Sequence, residues 1–381
     1  MKDQSISIYD DYVDDEYVVK EGEGFFSPFT FLCSVLVLIL FGFISVFSAT
    51  MDRAILEEVP FYSYLGKTIL GCFLGLGLGA LTYIIPEKVL KYLHFITIPI
   101  SIVLLLLSKY ISSLSFLSSS GGVFALFSII YLISWGVPFV EGKERKGFPL
   151  LALIPFCILY ISFVGYTAGL GWYILSLVVI VASASQFEVG KGYLFFFAIS
   201  GLIILVMLVA MIPSLFFDVS SSIFPVNDSS LSKKDLMVSR MAIRAGGLSG
   251  SGLGQGLYKL GALETPHIEY IFATVYEETG LIGLFIILVP AIFIMVVGVR
   301  TANRARVKGS HSLSSIVIGG TILIVFSILL NILHTMGLNP FGGMILPFFS
   351  YDPISEGVLM FMSVVLYRII YKEGRPKDEL E

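Results

Sequence analysis

Four carboxylates, Glu264, Glu269, Glu277 and Glu278, lie close together in the chain with His267 among them. Just upstream, the cations Arg240, Arg244 and Lys259 flank a run of glycines: Gly246, Gly247, Gly250, Gly252, Gly254 and Gly256. A carboxylate set among apolar neighbours such as Ile268, Tyr270 and Ile271 is pushed towards the working range of a general base, and a nearby Arg or Lys pulls it back. Cations beside glycine amides suit a diphosphate, because a backbone without Cβ can approach a ligand closely. The plainer readings are solvated charge at a membrane boundary for the carboxylates, a flexible linker for the glycines and a hydrogen-bonding surface residue for His267. A nucleotide P-loop is excluded, since no Gly-Lys-Ser/Thr follows the glycines. No metal site is apparent: His94, His267, His311 and His334 fall on separate segments, and Cys33, Cys72 and Cys157 sit inside apolar runs.

The surroundings of this polar stretch are strongly apolar. Of 381 residues, 56% are hydrophobic and 14% charged, and the mean hydropathy is +0.91. That is too apolar for a soluble globular surface and leaves no support for nucleic-acid binding. Apolar runs of spanning length predict about ten transmembrane helices, near 28–49, 63–85, 91–108, 116–137, 149–167, 169–186, 193–216, 274–299, 312–336 and 354–371. The expected architecture is therefore an all-α polytopic membrane protein. An acidic flexible cytoplasmic tail over 1–26 precedes a transmembrane domain over 27–371, and a second cytoplasmic tail covers 372–381. With the N-terminus inside, short outer loops hold only Arg53, Lys67 and Lys109, while inner loops hold clusters such as Lys143, Arg145 and Lys146. This orientation places both termini in the cytoplasm and a long extracytoplasmic loop over 217–273. Irregular polar backbone cannot face lipid, so that loop must lie outside the bilayer or line a wet cavity.

Between Gly337 and Pro353 the sequence GLNPFGGMILPFFSYDP carries three prolines and three glycines. It predicts a broken or re-entrant segment before the last helix, packed against protein. Asn331 and His334 precede it on an apolar helix, where polar residues face the bundle interior, as a substrate contact or as a bridge between helices.

At these residues the chain resembles the SEDS family (shape, elongation, division and sporulation). Ser239, Ala242, Ile243, Gly246, Gly247, Leu248, Gly250, Gly252, Gly254, Lys259 and Leu263 follow the family run S..AI..GGL.G.G.G....K...L. Glu269-Tyr-Ile-Phe-Ala and Glu277-Glu278-Thr-Gly-Leu-Ile-Gly match DFIFA...EELG.IG, and Asn331, Gly337, Pro340, Gly343, Leu346-Pro-Phe and Ser350-Tyr351 match N.....G..P..G..LPF.SYGGS. Ser48-Ala49-Thr50 resembles the family SAS. The resemblance implies a polymerase that joins lipid II, the undecaprenyl-diphosphate-linked disaccharide, into glycan strands outside the cytoplasmic membrane. It also implies a class B penicillin-binding protein as partner, among other division or elongation proteins. The family's essential Asp maps to Glu269, with the proposed role of deprotonating the attacking sugar 4-hydroxyl. Arg240, Arg244 and Lys259 are candidates for stabilising the diphosphate, and Glu264, His267, Glu277, Glu278, Asn331 and Ser350 for further substrate contacts. No cofactor is indicated beyond room for a divalent cation at the diphosphate.

The chain departs from the pattern at four places. The base is one methylene longer; SSSGGVF over 118–124 stands where the family has QPSE..K; Tyr166-Thr-Ala-Gly-Leu-Gly171 lacks the acid of PDLGTA; and Asp352-Pro353-Ile354-Ser355 replaces GGS. Three functions follow in order of support. The first is an inverting peptidoglycan glycosyltransferase. The second is a scaffold that docks a penicillin-binding protein, which the missing Glu and Lys would allow, and the third a transporter of lipid-linked precursors.

Overall fold

The computed structural model describes residues 27–85, 231–260, 263, 268–338 and 345–374, with shorter pieces between 96 and 186. Its helices are α1 (Pro28–Leu56), α2 (Ser63–Ile84), α3 (Leu231–Gly246), α4 (Ile271–Val307), α5 (His311–Thr335) and α6 (Pro353–Gly374). All but α3 are long and apolar enough to cross a membrane, and the chain is an integral membrane protein. These five correspond to the expected spans at 28–49, 63–85, 274–299, 312–336 and 354–371. The described residues between 96 and 107, between 122 and 134 and between 175 and 183 are helical where three more were expected. The spans at 149–167 and 193–216 lie outside the described residues, as do the tail at 1–26 and residues 375–381 of the expected tail at 372–381, whose first three residues instead continue α6.

Local sequence explains where the helices begin and how they meet. Ser27 and Thr30 form a reciprocal capping box ahead of α1, with Pro28 in the first turn, so orphan amides are satisfied as the chain enters its apolar run. Phe29, Leu36, Leu40 and Ile44 stay exposed on α1, whereas Phe31, Val35, Leu38 and Val46 are buried. With lipid as apolar as the core, the exposed face costs nothing, and packing between helices decides what is inside. Close packing joins α2 to α6, where Gly71 and Gly75 meet the carbonyls of Pro353 and Gly357; a Cβ on Gly75 would stand 2.0 Å from the Gly357 oxygen. Small residues one turn apart let two backbones touch. The inner helix is α5, which packs on α4 and α6, and it buries Ser314, Ser315, Thr321, Ser327, Asn331 and Thr335.

The sequence expectation needs revision in the long loop over 217–273, part of which is the helix α3. Its composition is polar enough to look like loop, yet Ser239, Ala242 and Gly246 recur at helical spacing and are buried. The broken segment is borne out over 345–352. Ile345, Leu346, Phe348 and Phe349 are buried without forming a helix, and Phe348 adopts a left-handed backbone, φ 69°. The buried Glu356 carboxylate accepts from the Phe348 amide at 2.9 Å, which satisfies a backbone group that no helix supplies.

Candidate active site

A single backbone break organises the glycine-rich stretch. Gly280 sits at φ 61°, ψ −144° inside α4, a conformation open only to glycine. The amide of Leu281 therefore cannot reach back along its own helix and donates to the Leu248 carbonyl at 3.1 Å. The carbonyls thus released at Glu277 and Glu278 accept from the amides of Ser251 at 2.8 Å and Gly252 at 2.9 Å. The glycine run is consequently a strap bonded to α4, neither a flexible linker nor, at these positions, an open cradle of amides. Its closeness requires glycine: a Cβ on Gly250 would lie 2.2 Å from the Glu278 oxygen.

The two carboxylates of α4 face inward and hold this strap. Glu277 Oε1 accepts from the amides of Leu257 at 2.6 Å and Tyr258 at 3.2 Å. Glu278 pairs with Lys259 at 2.7 Å, both side chains being 3% exposed or less. Ser48 at the end of the apolar part of α1 closes the network, donating to Glu278 at 2.6 Å, while the Lys259 ammonium donates to the Ser48 carbonyl at 3.0 Å and hydroxyl at 2.9 Å. The expectation for Lys259 as an open cation facing a diphosphate gives way to a buried counter-ion. Solvated interfacial charge likewise does not describe Glu277 or Glu278, both of which are buried.

Glu269 differs. It precedes α4 and is half-buried, and its backbone is fixed from two sides. Asn331 Nδ2 donates to its carbonyl at 3.0 Å, and the Ser350 hydroxyl donates to the preceding carbonyl of Ile268 at 2.9 Å while accepting from the Leu346 amide at 2.8 Å. Asn331 and Ser350, expected among the substrate contacts, are thus tied to the backbone that carries Glu269. Burial, and then the like charge of Asp235, push the Glu269 carboxyl above its ordinary range. Burial, followed by the charges of Glu269 and Asp235, likewise raises the Tyr270 hydroxyl, whose ring lies 5.3 Å from that of His334.

The remaining candidates separate. Arg240 Nε donates to the Met336 carbonyl at 3.1 Å and Ser239 to that of Thr335 at 2.8 Å, so both fasten α3 to the end of α5. Arg244 is exposed. Glu264 and His267 lie outside the described residues. Sequence reasoning missed Asp235, which is buried on α3, because no motif marks it. Its spacing of one turn from Ser239 is the only signal that could have placed it on the docking face. Away from this cluster, a groove of about 660 Å³ runs between α2 and α6, lined by apolar residues including Leu70, Leu74, Leu78 and Phe361, with Lys67 in the second turn of α2.

A polytopic helical membrane protein with a buried non-helical segment beside a rigidly held carboxylate is the class that these features define. Residues 138–374 match the model of the FtsW, RodA and SpoVE cell cycle proteins, and the chain belongs to that family. Over 366 residues it is 24% identical to the Probable peptidoglycan glycosyltransferase FtsW of Methylomonas methanica, covering 90% of this chain and 92% of the relative. A Shewanella sediminis protein of the same name is 32% identical over 187 residues, 48% of this chain and 45% of the relative. The fold is similar to a chain of a peptidoglycan synthase complex, with a TM-score of 0.63 at 16% identity over 90% of this chain and 98% of that one. It is also similar to a variant of the Thermus thermophilus rod shape determining protein RodA, with a TM-score of 0.55 at 16% identity over 91% and 98%.

Proposed function

We propose that this chain is a peptidoglycan glycosyltransferase that polymerises lipid II into glycan strands during division or elongation, with Glu269 as general base. Supporting this are the family, the glycosyltransferase names of its relatives and the geometry at 269. The observation that carries the reading is a carboxylate at that position whose backbone is pinned by Asn331 and Ser350 and whose proton affinity is raised. A base must hold its geometry and bind protons more readily than an ordinary surface carboxylate, and the pinned backbone and the raised proton affinity both act in that direction.

In the proposed step Glu269 takes the proton of the acceptor sugar's 4-hydroxyl. The oxygen forms a bond to the anomeric carbon of the donor, and the bond from that carbon to the diphosphate breaks, its electrons leaving with the diphosphate. Attack from the face opposite the leaving group inverts the anomeric centre. Arg244, exposed at the end of α3, is the cation proposed to meet the developing charge, with Arg240 beside it on the same helix. The groove between α2 and α6 suits a polyprenyl chain. The reading places the protein in the cytoplasmic membrane, both termini inside, with a class B penicillin-binding protein as partner.

The test is glycan-strand formation from purified lipid II by the native chain and by Glu269→Gln, each with its partner. Polymer from the native chain and none from the variant is the expected result. Absence of polymer from both leaves the scaffold as the function.

A further inference from the structure

The end of α4 away from the glycine strap carries a second polar site, about 39 Å of helix beyond Gly280. A cavity of about 370 Å³ opens there, with Gln186, Asn303, Arg306, Val307 and His311 in its walls. Hydrogen bonds fasten those walls to one another. Near the start of α5 the Ser314 hydroxyl lies 2.8 Å from the Gln186 side-chain oxygen and 2.6 Å from the Ala302 carbonyl of α4, and His311 Nδ1 lies 2.8 Å from the Gln186 carbonyl. Gln186 itself is buried. A cavity whose polar wall is already tied down needs little ordering when a ligand arrives.

The charges around this cavity have one sign. Between Arg300 and His311 the chain carries Arg300, Arg304, Arg306 and Lys308 and no carboxylate. Lys308 is engaged, paired with Glu373 of α6 at 3.0 Å. Arg306 is exposed, lines the cavity and has no carboxylate partner among the described residues. A guanidinium so placed, with the Asn303 amide on the same wall, suits the oxygens of a phosphate, which it can meet with two parallel hydrogen bonds.

The outer face of α4 leads to the same place. Phe285, Val289, Ile292, Val296, Val299 and Asn303 recur every three or four residues and so share one face of the helix. Phe285, Val289 and Ile292 are exposed. From Ile292 to Asn303 the helix rises about 16 Å, about half the hydrocarbon thickness of a bilayer. The cavity therefore stands at the level of one leaflet's headgroups, with an apolar face beside that leaflet's acyl chains. In the proposed orientation this is the cytoplasmic leaflet, whose anionic lipids are drawn to basic pockets between helices. We infer that the cavity binds the phosphate headgroup of an anionic phospholipid through Arg306 and Asn303, with an acyl chain lying along Val299 and Ile292. The site is remote from the strap and from Glu269, and it stands whether or not Glu269 is the base.

The experiment titrates the full-length chain in detergent with phosphatidylglycerol, phosphatidylcholine or inorganic phosphate and reads the bound ligand by mass spectrometry of the intact protein. The native chain is expected to bind phosphatidylglycerol about tenfold more tightly than phosphatidylcholine. Arg306→Gln should weaken phosphatidylglycerol about thirtyfold, as the loss of charge-assisted hydrogen bonds does. Arg304→Gln removes the same charge from a position outside the cavity and should cost about fivefold or less. Asn303→Asp, which sets a negative charge on the same wall, is the second cavity variant and should also weaken binding. Equal losses in Arg306→Gln and Arg304→Gln overturn the inference, because the cations then act only as a diffuse field. Equal affinity of the native chain for the two lipids overturns it too. So does inorganic phosphate that binds as tightly as phosphatidylglycerol, which makes the cavity a site for a soluble anion.

Discussion

Glu278 and Glu269 are the same residue type, lie on one continuous stretch and flank the same helix start, yet their environments are opposite. Glu278 is buried against an ammonium at 2.7 Å and a hydroxyl at 2.6 Å, the arrangement of a carboxylate locked into a structural network. Glu269 is half-buried with another carboxylate as its charged neighbour, the arrangement that makes a carboxylate bind protons. The lesson is that charge near a glycine-rich loop does not itself mark chemistry; the sign of the neighbour does. In this molecule the cation goes to the carboxylate that builds the site and a second anion to the one proposed to work in it.

The comparison is broken most severely by removing the cation. Lys259→Met leaves Glu278 buried without its counter-ion and is expected to cost about 3–5 kcal/mol, seen as a large fall in unfolding temperature in detergent. Adding Glu278→Gln should recover most of that loss, since a neutral amide needs no counter-ion, and a double variant no more stable than the single one would contradict the pairing. A smaller effect is expected where the strap meets α4. Gly250→Ala places a methyl at a left-handed position, φ 76°, against the Glu278 carbonyl and should cost about 2 kcal/mol, measured in the same way.

The smallest effect has the opposite sign. Because the folded-state affinity of Glu269 for its proton is raised, the folded protein binds that proton more tightly than the unfolded chain does. Its contribution to stability is fully present below the ordinary carboxylate range and is lost as pH rises through the folded value. Glu269→Gln should therefore unfold at a slightly higher temperature than the native protein at neutral pH, with the difference shrinking on acidification. A variant less stable at neutral pH would show that the charged form is favoured in the fold.

Much of this organisation is legible in the sequence and some is not, for reasons that particular residues make plain. The apolar runs of α1, α2, α4, α5 and α6 are continuous, so length and hydropathy alone find them. The non-helical stretch over 345–352 is announced by Pro347 and Pro353. The strap is different: glycines that avoid a steric clash and glycines that free a linker are the same letters, and only the dihedral angles of Gly280 show that α4 releases two carbonyls for the strap to fill. Lys259 is legible as a cation, but its partner Ser48 is separated by 211 residues, and no local pattern connects them. Asp235 lies on a polar helix whose buried face is set by docking to α4 and to the end of α5, a tertiary fact invisible to periodicity in so short a segment.

The central claim, that Glu269 is the reacting carboxylate and Glu278 a structural one, is tested most directly by lipid II polymerisation with two folded variants side by side, Glu269→Gln and Lys259→Met/Glu278→Gln. The account predicts that the first folds and makes no glycan strands, a loss of about a hundredfold or more, whereas the second, compared per folded molecule, still makes them. Polymer from Glu269→Gln together with an inactive but folded double variant would contradict it.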